Sequence, residues 1–223
     1  LRKAGFMSTS YIDDCLLVAE NTEKCKENVR QTVRMSEDAG FVVHPTKSVL
    51  EPTKKIVFLG FWLNSEDMTV QLTEEKALKI KNICSKLMNE KSFTIKMLAG
   101  AVGQMVAAFP GVAYGPLFYR SIDNFKSKAL KEAKGNFDKR TSLPDECLPD
   151  VKWWFENILH VKKSINLSSP SRLLESDASK TGWGGCLING EKKQTTGGNW
   201  STEERHLHIN CLELLAAWFT IKC

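Results

Sequence analysis

Along residues 1–72, apolar positions come in short runs divided by Pro, Gly and polar turns, a strand-forming pattern. Residues 6–11 and 15–19 predict two strands around a turn, the second buried and apolar. A helix is expected over 22–39, capped by Asn21 or Thr22, with Cys25, Val29 and Val33 on one face and Gly40 as its stop. Residues 41–44, 48–51, 55–58, 61–64 and 69–72 read as further strands. The period then lengthens. Thr73 is the expected cap of a helix to Asn89, with Ala77, Ile80, Cys84 and Leu87 on one face. Thr94 caps a second helix to Phe109, ended by Pro110-Gly111. Residues 126–140 are lysine-rich and poorly periodic, which predicts a mobile connection. A helix over about 150–160 carries Trp153, Trp154 and Phe155, and 161–171 reads as a linker. Strands return at 172–176 and 183–188, with Asn189-Gly190 as a hairpin signal to a third strand. Ser201 and Glu204 have capping-box spacing, and a last helix starts near Asn210. That helix is apolar almost all round and is therefore expected to be largely buried.

Composition narrows the class without deciding it. The 223 residues are 42% hydrophobic and 26% charged, an ordinary globular composition for which disorder is not the default. No apolar run is long enough to span a membrane. The first residue is Leu1 and the last residues lie inside a predicted helix, so the sequence reads as a piece of a longer protein. Seven cysteines without a C-x-x-C pair argue against a disulfide scaffold or a zinc ribbon. Reduced thiols fit an intracellular protein, in cytoplasm or nucleus. The net charge of +5 permits a polyanionic partner without demanding one.

Two acidic pairs carry the candidate chemistry. Asp13 and Asp14 stand at a strand-to-strand turn, where both carboxylates can approach one point. Clustered carboxylates suit Mg²⁺ or Mn²⁺, and two such ions can activate a 3′-hydroxyl and hold a leaving phosphate. An ordinary exposed Asp-Asp turn is the bland alternative. Asp177 ends an apolar strand before a Gly-rich turn, and Glu213 lies in the apolar last helix. A buried carboxylate there needs a cation, a donor or a raised pKa, unless it sits on a narrow solvent stripe. Lys79, Asn82, Lys86 and Asn89 form a polar stripe suited to a phosphate backbone, or merely a solvated face. Trp153 and Trp154 fit core packing better than base stacking. His206 and His208 are too few for zinc and read as structural.

Tyr11-Ile12-Asp13-Asp14 resembles the YxDD box of reverse transcriptases. Ala39 to Lys47 (AGFVVHPTK) resembles the next palm motif, and Phe58-Leu59-Gly60-Phe61 the hairpin that grips the primer. Glu175-Ser176-Asp177-Ala178-Ser179 with Gly182-Trp183-Gly184 resembles the first strands of a ribonuclease H domain, and 208–216 its first helix. The pairing of these two strings is most similar to DIRS-like retrotransposons. The resemblance implies an α+β chain: partial palm over 1–72, thumb-like helices over 73–140, a connection over 141–171 and a partial ribonuclease H-like domain over 172–223. It implies Asp13, Asp14, Asp177 and Glu213 as catalytic metal ligands. Tyr11 would pack near the primer end or incoming nucleotide, and Lys47 would face the triphosphate, the alternative for Lys47 being a solvated lysine. Gly60, Lys79 and Lys86 would contact nucleic acid. Expected partners are an RNA template, a DNA primer, an RNA–DNA hybrid and deoxynucleoside triphosphates, with no membrane. The rest of both acidic sites would lie outside these residues, so this chain alone is expected to be inactive. The competing reading is a decayed or domesticated retroelement remnant that binds nucleic acid without catalysis.

Overall fold

The computed structural model describes residues 3, 5–166, 170 and 172–222. It divides into two compact units, 1–166 and 167–223, of mixed helix and sheet. In the first, β1 (Met7–Tyr11) and β2 (Asp14–Val18) form an antiparallel hairpin followed by α1 (Thr22–Asp38). Asn21 caps α1, its side chain accepting from Lys24 N at 2.9 Å. The predicted buried strand after the acidic pair is only half-buried, and Val18 is exposed. Neither 41–44 nor 48–51 is a strand. The β-branched residues there favour extended backbone, but a strand also needs a pairing neighbour, and Phe41 and Val42 stand exposed instead.

Three strands then match the alternation of the sequence: β3 (Lys55–Phe58), β4 (Phe61–Asn64) and β5 (Thr69–Leu72). They pair as an antiparallel meander, extended by β8 (Lys163–Ser164) on β5, so part of the expected linker is a strand. Positions 167–169 and 171 of that linker lie outside the described residues. Next come α2 (Glu74–Asn89), β6 (Phe93–Thr94) and α3 (Ile95–Ala108). Thr94 caps α3 by accepting from Met97 N at 3.2 Å. The lysine-rich stretch is not a loose connection. Its first part, 126–132, belongs to α4 (Arg120–Glu132), whose Ile122 and Ala129 are buried with Phe125 packed beside them. After α4 come β7 (Arg140–Thr141), paired with β6, and α5 (Leu148–Asn157).

One core joins α2, α3, α4 and α5. Trp154 lies at its centre, 0% exposed, and its indole donates to Phe118 O at 2.8 Å. Trp153 stacks on Phe118 at 4.3 Å, so both tryptophans serve packing. Burial pushes the Cys84 thiol up to about 12 and raises that of Cys147.

The second unit is a three-stranded antiparallel sheet in the order β11 (Lys192–Asn199), β10 (Gly182–Asn189), β9 (Leu173–Ala178), with α6 (Ile209–Lys222) against it. Gly190, at φ +60°, opens the β10–β11 turn. The capping box forms reciprocally: Ser201 N donates to Glu204 Oε2 at 2.8 Å and Glu204 N to Ser201 Oγ at 3.2 Å. It closes the bend that leads into a short 3₁₀ turn, Glu204–His206, ahead of α6. His208 Nδ1 accepts from Asn210 N at 3.2 Å at the start of the helix. Only one face of α6 is buried, through Leu212, Ala216 and Thr220. The expectation of a largely buried helix fails because a single sheet covers one side, leaving Leu214, Trp218 and Ile221 exposed. Among the described residues no helix is long and apolar enough to cross a membrane.

Candidate functional site

The acidic turn is a two-residue hairpin. Tyr11 pairs with Asp14, leaving Ile12 and Asp13 as the loop. Such loops need a left-handed first residue, and Ile12 supplies it at φ +55°, a costly conformation for a β-branched side chain. All four motif residues are exposed. Among the described residues neither Asp13 nor Asp14 is in an ion pair, so two adjacent carboxylates stand unneutralised. The opposite end of the hairpin is anchored. Asn28, a buried polar residue of α1, donates to Met7 O at 3.0 Å and accepts from Thr32 Oγ1 at 3.2 Å. Hard carboxylate oxygens fit Mg²⁺ or Mn²⁺, and this turn carries two carboxylates. Among the described residues no cluster of three or more acidic, His or Cys ligands forms.

Leu59 and Gly60 form the loop between β3 and β4, both left-handed at φ +52° and +78°. Both of their carbonyls accept from the start of α2. Thr73 N donates to Gly60 O at 3.2 Å, and Lys76 Nζ to Leu59 O at 2.7 Å. The Lys76 ammonium also lies 5.4 Å from the Phe61 ring centroid. A Cβ at Gly60 would overlap Lys76 Cε and Nζ. Sequence reading selected Gly60 and missed Lys76, because the contact joins residues 17 apart across a strand pair and a helix start. The nearest available signal was a lysine in a helical first turn, where its charge opposes the dipole.

The polar stripe of α2 is present as expected. Lys79, Asn82, Lys86 and Asn89 are exposed, opposite the buried Ala77, Ile80, Cys84 and Leu87. Neither Lys79 nor Lys86 is in an ion pair among the described residues. Lys47 is exposed in a turn, its backbone N donating to His44 Nδ1 at 3.4 Å.

In the second unit, Ser176 faces Gly185 across the sheet, and the Thr220 side chain fills the space above Gly185. That face carries α6. Ala178 packs with Trp200, Leu212 and Ala216 on the same side. Strand alternation therefore turns Asp177, which pairs with Gly184, to the other face. Asp177, Ser179, Gly184 and Asn199 line an open cleft that Ala178 and Trp183, from the α6 face, also border. Glu213 is half-buried on α6 beside Leu212 and does not line this cleft.

No protein-family model and no curated protein matches the chain. Solved structures do. The chain is similar to the foamy viral protease–reverse transcriptase dRH in complex with double-stranded DNA, with a TM-score of 0.56 and 18% identity. The same viral protein in complex with an RNA/DNA hybrid gives 0.56 and 17%, and a further complex with double-stranded DNA 0.55 and 17%. The fold is similar to that of a reverse transcriptase. Each comparison covers 96% of this chain but 36%, 28% and 43% of the viral chains, so this chain spans less than half of each.

Proposed function

We propose that this chain is a section of an RNA-directed DNA polymerase with ribonuclease H, from a retrotransposon of the DIRS-like kind. One observation carries the reading: an exposed, unneutralised Asp13–Asp14 pair on a two-residue hairpin, in a chain whose fold is similar to reverse transcriptases. Residues 1–72 are assigned to the palm, 73–140 to the thumb, 141–171 to a connection and 172–223 to a ribonuclease H-like domain. Asp13 and Asp14 bind divalent metal and hold it at the turn, with Asp13 the principal ligand. A bound Mg²⁺ or Mn²⁺ supplies charge stabilisation to a reacting phosphate and acidifies an attacking hydroxyl. Tyr11 borders the primer end or the incoming nucleotide. Lys47 faces the triphosphate of a deoxynucleoside triphosphate. The Leu59–Gly60 turn grips the DNA primer, and Lys79 and Lys86 follow a phosphate backbone without reading sequence. Asp177 and Glu213 are assigned to RNA-strand cleavage on the strength of the SDAS, GWGG and LEL strings.

The testing experiment is binding to an RNA–DNA hybrid with a recessed DNA 3′ end, followed by anisotropy. The chain should bind with an affinity that falls steeply with salt, and Lys79→Glu with Lys86→Glu should weaken it by roughly tenfold or more and flatten the salt slope. Absence of salt-dependent hybrid binding sinks the proposal. In the alternative reading, a remnant that binds without catalysis, the same hybrid binding would persist with no metal response at Asp13 and Asp14.

A further inference from the structure

We infer that Lys76 is the positioning residue of the primer-gripping turn; this rests on the polymerase reading above. The turn has an unfavourable backbone, with Leu59 and Gly60 both left-handed at φ +52° and +78°. A non-glycine residue such as Leu59 stays there only when its surroundings over-determine it. Lys76 supplies that determination in three ways. Its ammonium donates to Leu59 O at 2.7 Å, lies 5.4 Å from the centroid of the Phe61 ring, and its chain fills the volume that a Cβ at Gly60 would take. Phe61 is also packed close to Gly111, where a Cβ would stand 3.0 Å from Phe61 Cδ1. The helix itself gains nothing from this lysine. A cation in the first turn of α2 opposes the helix dipole, so its use lies in the tertiary contact. With Thr73 N on Gly60 O at 3.2 Å, both carbonyls of the turn are referenced to the start of α2. The turn and the Lys79–Lys86 stripe therefore move as one body, which sets the primer end in register with the duplex behind it.

The test compares wild type, Lys76→Met, Lys76→Arg and Gly60→Ala. The ligands are a recessed RNA–DNA hybrid and a blunt hybrid of equal duplex length. Lys76→Met removes the donor and keeps the chain length. It should cut the preference for the recessed end by about tenfold while leaving blunt-hybrid affinity and the melting temperature nearly unchanged. Lys76→Arg keeps a donor and should restore the preference. Gly60→Ala should lose it by displacing Lys76. Retention of the preference in Lys76→Met or Gly60→Ala overturns the inference. So does an equal loss of recessed and blunt binding, which would make Lys76 a plain phosphate contact. A wild-type chain that binds hybrid but never prefers the recessed end overturns the primer-grip reading itself, and the role of Lys76 with it.

Discussion

Two hairpin turns of the first unit share a backbone problem and meet it differently. Ile12 and Leu59 both open two-residue loops in the left-handed region, at φ +55° and +52°. The Leu59–Gly60 turn is held at its apex, where Lys76 and Thr73 take both carbonyls and Phe61 packs alongside. The Ile12–Asp13 turn is held at its base, where Asn28 grips Met7, and its apex projects into solvent with Ile12 87% exposed. The difference suits the two tasks proposed for these turns. A turn that presses against a strand end needs a fixed apex. A turn that offers carboxylates to a cation needs an open one, with the strain borne by the strand pairing behind it.

Substitutions can break this contrast. The largest effect is expected at the clamped apex. Gly60→Ala adds a Cβ into Lys76 at a left-handed position and should cost about 2 kcal/mol in denaturant unfolding. In a Lys76→Ala background the steric share should vanish, leaving about 1 kcal/mol from the backbone alone. Equal costs in both backgrounds would show that the clamp does not constrain the turn. Asn28→Ala removes the basal anchor and leaves Met7 O without its donor, for a loss of about 1–2 kcal/mol. Hydrogen exchange should then accelerate in β1 and not in β3. The smallest effect has the opposite sign. Ile12→Gly relieves the left-handed strain and sacrifices little burial, so the protein should gain up to about 1 kcal/mol. A loss there would mean that the Ile12 side chain has packing that its exposure conceals.

Thiol chemistry gives an independent check on the core. At pH 8 an alkylating reagent should modify Cys15 and Cys211, which are exposed, and spare Cys84. Because burial raises the Cys84 thiol from 9.0 to about 12, the unfolded chain loses this proton first. The contribution is complete below pH 9 and is lost as pH rises toward 12, so stability should fall across that window, less so in Cys84→Ala.

Local signals were legible wherever they agreed with one another. The bounds of β3, β4 and β5 and the apolar face of α2 follow directly from alternation, caps and period. They were misleading where structure depends on distant partners. Val42 and Val43 have the propensity of a strand but, among the described residues, no neighbour that pairs with them. In α4, abundant lysines hide the apolar stripe of Ile122, Phe125 and Ala129. The composition of α6 suggests burial on all sides, yet its packing is one-sided. The candidate sites divide in the same way. Asp13 and Asp14 are neighbours in sequence and remain neighbours in the turn, whereas Lys76 and Asn28 act through contacts 17 and 21 residues away. Asp177 and Glu213 matched as strings, and only the sheet register reveals that Asp177 turns away from the face carrying α6.

Divalent metal binding at the open acidic turn, as proposed, is read out by paramagnetic broadening with Mn²⁺. Amide signals of Ile12, Asp13 and Asp14 should broaden at about millimolar Mn²⁺, recover with excess Mg²⁺, and stay sharp in Asp13→Asn with Asp14→Asn. Broadening at this turn no greater than at other exposed carboxylates, such as Glu66 and Asp67, would contradict it.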